Sequence, residues 1–126
     1  MLDQQQEQQE KAAARNVRFR QLQKMFVKAA IKDIAEMTEL LRVSTGDLSD
    51  GDAGRRFRKL AHDLRGTGGG YEFPAISDTA AIVEDHYLNG ASAGVLRESL
   101  ALLRRAVEAA GAALEADGGV TARRDS

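Results

Sequence analysis

The sequence has no cysteine, no tryptophan and a single proline, and aromatic side chains make up only 5% of its 126 residues. The lack of cysteine excludes disulfides and thiolate–metal sites. No apolar run is long enough to cross a bilayer. The opening stretch, MLDQQQEQQEKAAARN, has no apolar segment after its first charges, unlike a secretory signal. We therefore expect a cytoplasmic protein.

Charge of one dominant sign is also lacking. The 18 Lys and Arg side chains against 19 Asp and Glu give a formal net charge of −1. Such a balance provides no general attraction to nucleic acid or to an anionic membrane. A chain of this length is usually one domain and can bury a core of its own. We expect one globular domain that binds neither nucleic acid nor membrane.

Strong helix formers dominate the composition, and apolar residues recur at the three- and four-residue spacing of amphipathic helices in four segments. The predicted core positions, helix by helix, are Leu22, Phe26, Ala30, Ile34, Met37 and Leu41; Phe57, Leu60, Ala61 and Leu64; Ile76, Ala80, Val83 and Tyr87; and Leu96, Leu100, Leu103, Val107, Ala110 and Leu114. The pattern predicts an all-α fold, an antiparallel up-down four-helix bundle. Because four helices can close their own core, we expect a monomer.

The ends of these helices are marked less clearly. Residues 1–16 are polar and helix-prone, and we expect a short extra helix across the bundle or disorder there. The bundle itself is expected over 17–117, followed by a flexible tail over 118–126. Asp52 is the expected N-cap of the second helix, and Pro74 suits the first position of the third. Propensity alone ends the second helix before GTGGG, because each glycine costs about 1 kcal/mol in a helix.

One side of the second helix carries candidate chemistry. Arg58, His62, Arg65 and Gly69 follow at spacings of four, three and four, away from the apolar stripe, so His62 is expected to be exposed. An unprotonated imidazole nitrogen is a nucleophile, and a guanidinium interacts well with a phosphoryl group. The glycines at 68–70 leave room for another protein. An exposed histidine beside basic residues is nevertheless more commonly a plain solvated surface.

Other kinds of site fit these residues poorly. No second histidine, cysteine or paired carboxylate stands at ligand spacing from His62, which argues against a metal site. GTGGG lacks the following Gly-Lys-Ser/Thr of a Walker loop and does not follow a strand, as a dinucleotide-binding loop would. Asp63 points about a quarter turn away from His62 and is a poor general base. His86, which lacks cationic and glycine neighbours, is interpreted as structural or solvated.

The string AHDLRGTGGGYEFPAISDTAAIVED resembles the histidine-containing phosphotransfer (HPt) domain of multistep phosphorelays, whose pattern begins H-x-L-[KR]-G and continues with small residues. It is also similar to the phosphoacceptor domain of chemotaxis-type histidine kinases, which shares the fold. The matching residues are His62, Leu64, Arg65, Gly66, Thr67, Gly68, Gly69 and Tyr71, with FPAI and a small-residue helix ending in Glu84. In many members Lys stands in place of Arg65, and Gly in place of Glu72.

The resemblance implies a phosphoryl carrier without an ATP site, and so not an enzyme in the ordinary sense. His62 would accept a phosphoryl group from the aspartyl phosphate of a response-regulator receiver domain and return it to another. Arg65 would steady that group. The receiver would supply Mg²⁺, and this chain would hold no cofactor; a hybrid histidine kinase is a further implied partner. The implied contact residues for the receiver are Arg55, Arg58, Lys59, Gly66 and Gly69.

The resemblance also continues the second helix through the glycines to about Gly69, against propensity. Three other functions stay open. The chain could be the phosphoacceptor domain of a chemotaxis-type kinase, or an interaction bundle in which His62 does no chemistry. The helix pair of a sensor histidine kinase has the string H-[ED]-L-R-T-P-L, but its Thr-Pro is replaced here from Gly66 onward.

Overall fold

The computed structural model describes residues 2–44, 48 and 51–125, with side chains for 3–44, 48 and 51–116. Its helices are α1 (Leu2–Val43), α2 (Asp52–Gly70), α3 (Pro74–Leu88) and α4 (Ala93–Asp125). Each helix packs against the next one in the chain, and α4 returns to pack against α1. The predicted all-α four-helix bundle is therefore confirmed. Within the described ranges, no helix has the length and apolar character needed to span a membrane.

The core lies between the four helices and is made almost entirely of the predicted apolar stripes. Phe57, Met37, Ile76 and Leu103 are completely buried, and all but three of the remaining predicted positions are buried in the same interior. Two predicted positions, at the two edges of the core, are only half-buried, namely Tyr87 and Ala110. Spacings of three and four residues thus identified the inward faces of all four helices.

Leu22 is the exception, because its side chain is 46% exposed. It lies on the rim of an open groove between α1 and α2 instead of in the core. At this level of the bundle α1 turns Phe19, Gln23 and Phe26 toward the end of α2. The Phe26 ring stacks on Tyr71 at 5.1 Å between centroids, and the Gln23 amide donates a 2.8 Å hydrogen bond to the Tyr71 carbonyl.

Three helix ends differ from the sequence prediction. The first sixteen residues form no separate short helix, because α1 is continuous from Leu2 onward; Gln, Glu and Ala dominate there, and nothing in the sequence breaks the helix. The expected tail over 118–126 instead continues α4 through both glycines of DGG to Asp125. Likewise α2 runs through GTGGG to Gly70. Glycine weakens a helix by about 1 kcal/mol, which packing or neighbouring turns can offset.

The start of α2 corrects the predicted N-cap. Asp52 is the first helical residue, and Gly51 precedes it with φ 109° and no side-chain capping bond. The turn-forming residues STGDLSDGD are predicted to end the first helix, and most of them lie outside the described residues. Leu48, which is described, is buried and accepts a 3.1 Å hydrogen bond from the Tyr87 hydroxyl. A Cβ at Gly54 would lie 1.9 Å from the Leu48 carbonyl oxygen, so only glycine fits there.

The turn between α2 and α3 brings the two helices side by side. The Tyr71 amide donates to the Thr67 carbonyl at 2.9 Å, and the Phe73 amide donates to the Gly68 carbonyl at 2.8 Å. Glu72 between them has φ 65°, a left-handed conformation that favours glycine. Pro74 then opens α3 at its first position, as predicted.

Candidate functional site

His62 lies on α2 with its imidazole side chain 67% exposed, as predicted. The ring is nevertheless held in place. Its Nδ1 atom lies 2.9 Å from Oε2 of Glu84, which α3 presents across the interface between the two helices. A nucleophile oriented by a hydrogen bond to its other ring nitrogen is a recurring catalytic arrangement.

Glu84 is the centre of the site. Its side chain is only 4% exposed, yet it carries a carboxylate. Besides His62, the guanidinium of Arg65 donates to Oε1 at 3.2 Å, and Nε of Arg58 lies 3.8 Å from Oε2. Charge pairing of this kind is what makes a buried carboxylate tolerable. The same contacts fix Arg58 and Arg65 on either side of the imidazole.

The contact with Glu84 determines which imidazole nitrogen is free. A carboxylate has only acceptor atoms, so Nδ1 of His62 must donate and therefore carries the ring proton. The lone pair then resides on Nε2. Within the described part of the chain Nε2 has no hydrogen-bond partner, and the side chain faces solvent. The arrangement leaves an oriented, accessible nucleophile between two cations.

The other predicted contact residues separate into two groups. Arg58 and Arg65 join His62 around Glu84. Arg55 is instead paired with Asp52, one turn earlier on α2. Lys59 is paired with Asp63 at 2.9 Å. These exposed pairs balance the charges of Arg55 and Lys59, whereas Arg58 and Arg65 share the single Glu84 carboxylate and keep one net positive charge beside the imidazole.

The glycines of α2 also differ from one another. A Cβ at Gly66 would meet nothing within 4 Å, and one at Gly69 would make only ordinary contact with Ser77. A Cβ at Gly68, by contrast, would lie 3.0 Å from the Ser77 amide nitrogen and 3.1 Å from Ile76. Gly68 is therefore required for close packing of α2 on α3. Packing within the described chain gives no reason for glycine at Gly66.

Glu84 was predicted only as the end of the matching helix, and no role was predicted for it. Its signal in the sequence is a charged residue directly after Val83, on the inward side of the Ile76–Ala80–Val83 stripe. Such a position predicts a buried carboxylate in need of partners. The identity of those partners depends on how α3 packs on α2, which periodicity does not give.

An open groove of ≈ 350 Å³ lies beside the site, between α1 and α2. Exposed Leu22 and Met25 contribute apolar surface, and Asp63 and Thr67 border it from α2. On α2, Asp63 points about a quarter turn away from His62, so this apolar surface lies on the α1 side of α2, next to the side that carries the imidazole. It supplies the kind of contact area that a docking protein needs.

Among the described residues, no group of three or more His, Cys, Asp or Glu side chains is placed to hold a metal ion. A scan against protein-family models, a search of curated proteins and a search of solved structures each gave no match.

Proposed function

We propose that this chain is a histidine phosphotransfer protein, which carries a phosphoryl group on Nε2 of His62 to and from the aspartates of receiver domains. The observation that carries the proposal is the pairing of exposed His62 with buried Glu84 between Arg58 and Arg65. This pairing frees and orients one ring nitrogen. The motif around His62, which resembles that of HPt domains, supports the same function.

The proposed transfer needs no general base on this chain. The Nε2 lone pair attacks the phosphorus of the receiver's aspartyl phosphate; the N–P bond forms as the O–P bond breaks, and the electron pair of that bond leaves on the aspartate. Nδ1 keeps its proton, so the ring becomes a phosphorylated imidazolium. The Glu84 carboxylate, 2.9 Å from Nδ1, stabilises the positive charge that develops. Charge is conserved in this step, and the same step in reverse returns the phosphoryl group from Nε2 to a receiver aspartate.

The two arginines have a second role in this proposal. Both guanidinium groups pair with Glu84, the residue that also holds the imidazole. Nη1 of Arg65 lies 3.2 Å from Oε1 of Glu84, and Nε of Arg58 lies 3.8 Å from Oε2. A phosphoryl group on Nε2 brings negative charge to the same place, and guanidinium groups bind phosphoryl oxygens well. Mg²⁺ would come with the receiver. This chain would contribute a nucleophile, two cations and an in-line approach.

The decisive experiment transfers radioactive phosphate from receiver domains labelled on their aspartate. We expect acid-labile, base-stable label on the wild-type protein and on His86→Gln, and none on His62→Gln. Phosphorus NMR of the phosphorylated protein should show that the phosphoryl group is bound to Nε2. If a folded wild-type protein takes no label from a broad panel of receivers, the chain is a non-catalytic interaction bundle instead.

A further inference from the structure

A second open groove, of ≈ 540 Å³, runs between α1 and α4. Because each helix contacts only its two neighbours in the ring α1–α2–α3–α4, this groove lies on the opposite side of the bundle from the α2–α3 interface that holds His62. It is therefore a surface distinct from the proposed phosphoryl site. Its apolar lining is Met25, Val27, Ile31, Val107, Gly111, Ala112 and Leu114.

Two of the lining side chains, Met25 and Ile31, are unusually exposed for apolar residues, whereas Val27, Val107 and Leu114 are buried. Met25 is 65% exposed and Ile31 is 50% exposed. The floor is tightly closed, since a Cβ at Gly111 would approach Val27 to 3.3 Å. The groove is thus a packed floor with exposed apolar edges. Apolar surface arranged in this way commonly marks an interaction site.

The two walls carry opposite charges. Lys24 and Lys28 border the groove on α1, and Glu108 and Glu115 border it on α4. The two helices run antiparallel, since residues 24–31 of α1 line this groove with residues 107–115 of α4, whereas Ile34 and Thr38 further along α1 lie against residues 97–104. Lys24 therefore lies level with Glu115, and Lys28 lies nearly level with Glu108. One wall is basic and the other acidic at the same height along the bundle.

This pattern makes the groove complementary to itself. We propose that its occupant is a second copy of the chain, related by a twofold axis parallel to the groove. That axis places α1 of one copy against α4 of the other at the same height, so each lysine meets a glutamate and the exposed apolar edges cover one another. A twofold axis that lies in the interface and runs perpendicular to the groove would instead place α1 of one copy against α1 of the other. Lysine would then face lysine, which is repulsive.

The proposed dimer differs from the monomer expected from the sequence. The four helices do close one core, but α1 and α4 leave this second apolar surface. Both copies of His62 remain on the outer sides of such a dimer. Met25 borders both this groove and the α1–α2 groove, but Lys28, Ile31 and Glu108 border only this one, so variants at these three positions test the dimer independently of the phosphotransfer proposal.

The test is sedimentation of the full chain from low-micromolar to millimolar concentration, together with a charge exchange. We expect concentration-dependent dimerisation, weakened at least tenfold by Lys28→Glu or by Glu108→Lys. The combined variant should recover most of the loss, because each copy then offers the exchanged pair to the other. Asp85→Lys, a reversal of one exposed charge on α3, which does not border the groove, is the control and should dimerise as wild type does.

Ile31→Gln tests the apolar part of the interface and should also weaken the dimer, while circular dichroism confirms that the fold persists, since Ile31 is half exposed. A wild-type protein that stays monomeric over the whole range overturns the proposal. So does a dimer that is insensitive to both charge reversals, or one in which the combined variant is weaker than either single variant.

Discussion

At the scale of single residues, Glu84 links the fold to the chemistry. It is one of the few buried charged or polar side chains in the described chain, and its carboxylate is shared by an imidazole and two guanidinium groups. Removing its charge leaves Arg58 and Arg65 without their common partner and gives His62 a neutral neighbour. A glutamine there retains the shape and can either donate to Nδ1 or accept from it.

We expect Glu84→Gln to lower the phosphotransfer rate by roughly 10- to 100-fold, by analogy with the range seen when the hydrogen-bond partner that orients a metal-binding histidine is removed. The physical reason is that Nδ1 no longer has an obligate acceptor, so the ring populates both tautomers and Nε2 is protonated part of the time. Nitrogen NMR of His62 should show this mixture, and the rate of label transfer measures its effect.

Glu36→Gln is the matched control for that variant. Glu36 forms an ion pair with Arg56 between α1 and α2, at 2.5 Å, away from His62. The Arg56 hydrogen bond holds the pKa of the Glu36 carboxyl below its ordinary value, so this glutamate is also an ionised partner of arginine. Transfer by Glu36→Gln should match wild type. An unchanged tautomer and rate in Glu84→Gln would contradict the orienting role.

At the scale of helices, two neighbouring glycines of α2 should respond in opposite directions. Gly66→Ala should stabilise the protein by about 0.5–1 kcal/mol, because its Cβ enters open space and alanine favours the helix. Gly68→Ala should destabilise it by about 1–3 kcal/mol, because its Cβ presses on Ser77 and Ile76. Urea denaturation measures both changes.

The same two variants separate stability from function. If Gly66 leaves room for a receiver, Gly66→Ala should transfer phosphate more slowly although it is more stable. Gly94→Ala, an exposed glycine in the first turn of α4, is the control and should leave transfer unchanged. Full transfer by Gly66→Ala would show that this glycine has no role in docking.

The turn between α2 and α3 stores strain at Glu72. With φ at 65°, its side chain is in a conformation that costs an L residue roughly 1 kcal/mol or more. Glu72→Gly relieves this strain, but glycine also gives the unfolded chain more conformational freedom, which offsets part of the gain. The net result should be a free energy of unfolding that is higher by up to about 1 kcal/mol. Glu98→Gly, in the exposed part of α4, should lower it by about 1 kcal/mol. A loss at both positions, measured by denaturation, would refute strain at Glu72.

The sequence predicted helix faces better than helix ends. Three- and four-residue spacing placed Phe57, Leu64 and Val83 inside because burial depends on the side of the helix, which periodicity reveals. Helix ends depend on small energy differences, so glycine runs that looked like stops are helical in α2 and α4. His62 was placed correctly on an exposed surface. Its contact with Glu84 joins residues 22 positions apart through α2–α3 packing, which no local pattern specifies.

At the scale of the whole molecule, the proposed function requires an apolar docking surface for a receiver domain, and the α1–α2 groove is the candidate next to the His62 side of α2. Leu22 and Leu102 provide a matched pair, because each side chain is 46% exposed, one at this groove and one on α4. Leu22→Ser should weaken receiver binding about five- to tenfold, through the loss of about 1 kcal/mol of apolar contact. Leu102→Ser should not.

Calorimetric titration with the receiver that transfers fastest measures these affinities, and thermal unfolding of each variant confirms the fold. Equal weakening by both serine substitutions would mean that the groove has no special role. An effect of Leu102→Ser alone would move the docking surface to α4.

The length of α1 has a consequence for backbone hydrogen exchange. Its 42 residues extend about 63 Å. The end of α2 contacts α1 at Gln23, about half-way along that length. Amides near Phe26 and Ile34 are enclosed by the bundle and should exchange their hydrogens only when the whole domain opens. Amides between Asp3 and Arg15 belong to the same unbroken helix but rely on its internal bonds, so they should exchange through local fraying. One helix thus contains both the slowest and some of the fastest exchanging amides of the protein.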